Sequence, residues 1–144
     1  MALVTRNNLK LTLEGARAVL AAAERRAEEI RVPMNIAVVD DGGHLLAFAR
    51  MDGAKPASIA ISQVKAQAAA MRRAQTGAVM LGDQVNVHLT LGLAVAASDH
   101  QTPIRGGIPL IVDGQVVGAI GVSAGTEEQD FDVARAGAAA TEQK

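Results

Sequence analysis

Two β-branched runs, Ile108 to Val112 and Gln115 to Val122, stand on either side of Asp113-Gly114, and nothing else in the chain restricts its fold as strongly. A two-residue Asp-Gly link suits a type I′ turn, whose twist matches that of the flanking strands, so the segment predicts a β-hairpin. A second hairpin is expected earlier, where Asn35 to Val39 and Leu45 to Ala49 flank the turn cluster Asp40-Asp41-Gly42-Gly43.

Between and around the hairpins the apolar period changes to that of a helix. Leu13, Ala16, Leu20, Ala23, Ala27 and Ile30 recur at three- and four-residue spacing, with Thr12 as N-cap and Pro33 beyond the end. After Pro56, the residues Ala57, Ala60, Ile61, Val64, Ala68 and Met71 form one stripe of a second helix running to about Ala74. Its other face carries Ser58, Ser62, Lys65 and Arg72 roughly in line. Thr126-Glu127-Glu128-Gln129 matches a capping box, and Phe131, Ala134 and Ala138 continue a last helix. From Val79 to Ser98 two readings stand: Val85, Val87, Leu89 and Leu91 alternate like a strand, whereas Leu91 to Ala97 suits a short helix. Ser98 to Gly107 reads as a polar loop. Helices segregated from antiparallel pairs predict an α+β fold with helices on an antiparallel sheet, in one domain over residues 1–144.

Composition narrows the function. The 144 residues carry a formal net charge of -1 and only two aromatics, Phe48 and Phe131, so there is neither a basic field for phosphates nor a set of rings for stacking bases. Nucleic acid is not an expected partner. The absence of cysteine removes disulfides, thiolate metal sites and thiol nucleophiles, and suits a reducing, cytoplasmic setting. The longest stretch without formal charge, Gln84 to Ser98, falls short of the ~20 apolar residues that span a bilayer, so no membrane is expected. No P-loop, G-x-S-x-G or dinucleotide fingerprint is present, and the histidines lack metal-site spacing, so no protein-only metal site is expected.

Several strings form a familiar set: Val38-Val39-Asp40-Asp41-Gly42-Gly43-His44-Leu45, Arg50-Met51-Asp52-Gly53, Gly106-Gly107-Ile108-Pro109-Leu110, Val116 to Ser123, and Glu128-Gln129-Asp130. In order and spacing, from Leu11 to about Ala140, the chain resembles the GlcG/HbpS family. The resemblance implies a profilin-like sheet of about five strands flanked by helices, assembly into dimers or larger homo-oligomers through small-residue surfaces, and haem binding. The sequence departs from the family's Pro/Gly-rich, Tyr-containing pattern between Gln75 and Ile104, a region that helps to line the family's ligand site.

The residues that could carry chemistry are few. Haem iron takes one or two axial donors, most often imidazole, and of His44, His88 and His100 the last is the best placed, in the loop before Gly106-Gly107. His44 reads as a turn residue and His88 as half buried. Lys65, beside Ser58 and Ser62, suits a carboxylate or haem propionate, as do Arg50 and Arg105, and the amides of Gly106 and Gly107 suit an anion. A solvated loop and a solvated helix face are the plainer readings of His100 and Lys65. Together these residues favour a small anionic organic ligand, with Lys65, His100 and Arg105 expected to converge on one pocket. The alternative is a cofactor-independent hydratase, lyase or isomerase acting on a small carboxylate or ketone, with His100, Lys65 or Asp40 moving the proton. A third reading is a structural partner with no ligand.

Overall fold

The computed structural model describes residues 1–142. In chain order its elements are α1 (Leu13–Ile30), β1 (Asn35–Asp40), β2 (Leu45–Arg50), α2 (Ser58–Arg72), β3 (Met80–Leu81), β4 (Gln84–Val85), α3 (Val87–Ala96), β5 (Gly107–Val112), β6 (Gln115–Ser123) and α4 (Glu127–Ala138). The caps read from sequence are formed. Thr12 accepts from the Gly15 amide at 2.9 Å, and Thr126 and Gln129 close a reciprocal capping box, so amides left open by each helix start find partners.

Both hairpins form as expected. Asp113 and Gly114 take φ of 48° and 75°, the left-handed pair that a two-residue turn between twisted strands requires. β1 and β6 pair antiparallel in the centre, giving the order β2-β1-β6-β5. The main sheet thus has four strands rather than about five, and β3 and β4 form a separate two-stranded ribbon. In the segment with two readings, the helix holds from Val87 to Ala96, and the strand pattern survives only as that ribbon.

The sheet separates two unlike layers. Ile36, Val38, Leu110, Ile120 and Val122 turn toward α1 and α4 and are fully buried, each stabilising the fold by ~1.5–3 kcal/mol relative to exposure. On the other face Ala37, Val39 and Ala119 meet Ala66, Ala69 and Ala70 of α2.

Here the structure corrects the reading of α2. Ala68 is buried as expected, but most of the expected core stripe faces outward, leaving Ile61 and Met71 exposed, while Ser58, Ser62 and Lys65 face the sheet. The cause lies in the strands beneath. A Cβ on Gly121 would collide with the Ser62 carbonyl and the Ala66 amide, and one on Gly107 with the Lys65 carbonyl. The helix backbone therefore rests almost directly on the sheet, and only small side chains fit between them. Ser62 satisfies its buried hydroxyl by donating to the Ile59 carbonyl at 2.7 Å. Among the described residues, no helix is long and apolar enough to cross a membrane.

Candidate functional site on the outer face of α2

Turned away from the sheet, α2 presents Ala57, Ala60, Ile61, Val64, Gln67 and Met71 at three- and four-residue spacing along one line. The β1–β2 turn packs against the C-terminal half of this line: a Cβ on Gly43 would stand 3.1 Å from Met71 Cε and 3.6 Å from Gln67 Cγ. Asp40 builds that turn. Its Oδ1 accepts from the Gly42 and His44 amides, each at 2.9 Å, which is a structural use of the carboxylate rather than that of a general base.

His100 reaches the same helix from the other side. Its Nδ1 lies 3.4 Å from Gln67 Oε1, so that with the proton on Nδ1 the ring donates to Gln67 and the Nε2 lone pair is left for another partner. That is the tautomer a metal ligand needs, with the second ring nitrogen held by an outer partner. The helix ends at Arg72 and at Arg73, which takes left-handed φ of 57° and donates from Nη1 to the Asp41 carbonyl at 3.1 Å. One end of the apolar line therefore carries an imidazole, a thioether and the Arg73 guanidinium, whereas Arg72 lies among Gly77, Val79, Thr90 and Gln101. Gln67, Met71 and Arg73 were not singled out from sequence; their position depends on which stripe of α2 faces outward.

The expected convergence of Lys65, His100 and Arg105 is not formed. Lys65 is fully buried, and its Nζ donates to Asp130 Oδ2 at 2.8 Å and to the Val122 carbonyl at 2.9 Å, so its charge is not available to a ligand. Arg105 lies over the Phe131 ring, 4.3 Å from its centroid, and its amide donates to Glu127. The Gly107 amide, expected to cradle an anion, donates to Thr76 Oγ1 at 2.9 Å. Gly106 is there for space: a Cβ would meet the Val122 carbonyl at 2.6 Å and Lys65 Nζ at 3.0 Å. Arg50 lines an open groove of about 380 Å³ with Glu24, Glu28 and Asp52, where the excess of carboxylates disfavours an anion. His88, expected half buried, is exposed on the first turn of α3.

A larger groove of about 470 Å³ runs beside β5, lined by Gln75, Pro109, Ile111, Arg135 and Thr141 among others, and it holds no imidazole. The outer face of α2 thus sets apolar surface beside an imidazole, which neither groove holds.

Over residues 11–139 the sequence matches the family model described as "Haem degrading protein HbpS-like". It is 43% identical to Protein GlcG of Escherichia coli (strain K12) over 113 residues, covering 78% of this chain and 81% of that one. The crystal structure of Klebsiella pneumoniae protein ORFY is similar, with a TM-score of 0.85 and 33% identity over 100% of this chain and 99% of that one. A crystal structure of a PduOC:heme complex matches with a TM-score of 0.79 and 28% identity, covering 92% and 95% of the two chains.

Proposed function

The chain belongs to the HbpS-like family, and from that premise we propose that it binds haem or a related tetrapyrrole on the outer face of α2, with His100 as axial donor. The observation that carries this reading is the His100 imidazole, held by Gln67 at the end of an exposed apolar line. The residues fit the group. Ile61, Val64 and Met71 offer a flat surface whose removal from water would contribute ~25 cal/mol per Å² covered. Arg73, whose Nη1 donates to the Asp41 carbonyl, keeps further N–H groups with which a charge-assisted hydrogen bond could hold a propionate. When bound, haem would supply an iron centre able to take the imidazole lone pair. Gln67 would orient that imidazole by accepting a hydrogen bond from its Nδ1–H, and Met71 would help to exclude water.

The PduOC:heme complex supports a haem-related ligand for a chain of this fold. A cytoplasmic homo-oligomer suits a chain without cysteine whose apolar face lies open on the single copy. The competing proton-transfer enzyme has less to draw on, because Lys65 is paired with Asp130 and Asp40 holds its turn. Titration of the protein with haemin, followed by absorbance, tests the reading. A saturable shift of the Soret band at about one haemin per chain is expected; a linear, unsaturable rise equal to haemin in buffer would overturn it.

A further inference from the structure

A small cavity lies where the C-terminal end of α2 meets α3 and the loop after His100. Its volume is about 10 Å³, room for one water-sized group. Arg72 lines it from α2, Thr90 from α3, and Gln101 and Thr102 from the loop. Val79, Leu93 and Pro103 supply apolar wall, which strengthens any charge interaction made inside.

Two groups around this cavity are left unbalanced. Arg72 is half-buried and takes part in no ion pair among the described residues, so its guanidinium has lost hydration without gaining a counter-charge. Gln101 Oε1 is out of contact with solvent and accepts no hydrogen bond, although buried acceptors ordinarily find a donor. Thr90 does not serve it, because that hydroxyl accepts from the Val79 amide at 2.9 Å and faces the Val79 carbonyl at 3.5 Å. Thr102 Oγ1 accepts from the Ile104 amide at 3.2 Å, which leaves its O–H free to donate.

We infer that this cavity binds a small oxyanion that carries a hydroxyl of its own, bicarbonate being the smallest. The chemistry of the unbalanced groups selects that class. A metal cation is repelled by the guanidinium, which is always charged. A water molecule would donate to Gln101 Oε1 but leave Arg72 without a counter-charge. An anion without a proton would pair with Arg72 but set its own lone pairs against those of Gln101 Oε1. Bicarbonate answers both: its charged oxygens accept from the planar guanidinium and from the Thr102 hydroxyl, and its O–H donates to Gln101 Oε1. A cavity of this size admits an oxygen of so small an ion and no ring. The site lies apart from the outer α2 face and does not rest on the haem reading.

Thermal unfolding in rising sodium bicarbonate and, separately, in rising sodium nitrate at constant ionic strength tests the inference. Nitrate has the same charge, planar shape and similar size but no proton. Bicarbonate should raise Tm saturably, with an affinity about tenfold or more above that of nitrate, because only bicarbonate gives Gln101 Oε1 a donor. Arg72→Gln should weaken bicarbonate binding by about tenfold or more, and Arg72→Lys should retain part of it as a point charge. Gln101→Leu should bring bicarbonate down to the level of nitrate. Circular dichroism reports whether each variant folds, and the comparison of the two ions on the unmodified protein decides the matter without any variant. Equal affinity for nitrate, no saturable response to bicarbonate, or a response unchanged in Arg72→Gln would each overturn the site. Haemin titration is a separate readout: a protein that binds bicarbonate and ignores haemin defeats only the haem reading, and the reverse defeats only this one.

Discussion

Lys65 Nζ lies 2.8 Å from Asp130 Oδ2, with the two side chains 1% and 4% exposed, so an ion pair spanning 65 positions of sequence ties α2 to the first turn of α4. The remaining carboxylate oxygen accepts from the Gly125 amide at 2.9 Å, which extends the tie to the loop after β6. Removing one partner strands the other charge where water does not reach. Lys65→Met and Asp130→Asn are each expected to cost about 3–5 kcal/mol in chemical denaturation, and Lys65→Met/Asp130→Leu to recover much of that loss. Single substitutions that leave the denaturation midpoint unchanged would contradict the assignment.

Gly121 sets the distance between α2 and the sheet. Gly121→Ala places a methyl group against the Ser62 carbonyl and the Ala66 amide, both backbone groups that cannot rotate away. The expected cost is about 1–3 kcal/mol, the range for forcing a methylene into a packed interior. In a domain of this size each kcal/mol lowers Tm by roughly 4 °C, so calorimetry resolves the effect. An unchanged Tm would show that α2 sits too far from β6 for the contact to form.

At the β5–β6 turn, Gly114 takes φ of 75° in open space, so backbone conformation alone resists a side chain there. Gly114→Val should cost about 1 kcal/mol or more. Gly114→Asn should cost less, because asparagine tolerates the left-handed region. Equal stability of the two variants in urea would argue against the turn.

The pair between Lys10 and Asp41 gives the fold a small acid sensitivity. Lys10 Nζ lies 3.0 Å from both Asp41 oxygens, and this hydrogen bond holds the carboxyl below its usual range although burial pushes the other way. A lowered folded pKa contributes stability above the ordinary value of about 3.9, and that contribution is lost as pH falls through the folded pKa. Lys10 is 67% exposed, so the effect is of surface-pair size, about 0.2–1 kcal/mol. Asp41→Asn should therefore be slightly less stable at pH 7, with the gap closing in acid. A gap that widens as pH falls below about 4 would reverse the sign of the linkage.

Local signals in the sequence were sufficient for the hairpins and caps, because Asp113-Gly114, Thr12 and Thr126 act on neighbours a few residues away. They were insufficient for α2. Its two stripes are equally periodic, and the choice between them is made by Gly107 and Gly121, which lie far along the chain. With that choice inverted, Lys65 passes from a ligand candidate to a buried partner of Asp130, and Gln67 and Met71 pass to the surface beside His100. The segment around α3 stayed open between strand and helix for a different reason: a helix apolar on every side leaves no period to read. The resemblance to GlcG/HbpS supplied the fold and the haem expectation, but it did not determine which groups on this chain are free to meet a ligand.

The central claim is that His100 serves as the axial donor for haem on the outer face of α2. The chain has three histidines, so parallel haemin titrations of His44→Ala, His88→Ala and His100→Ala against the unmodified protein test it directly. His100→Ala alone is expected to abolish the shifted Soret band, while the other two retain it with at most a few-fold change in affinity. A band that survives in His100→Ala and disappears in His44→Ala or His88→Ala would contradict it.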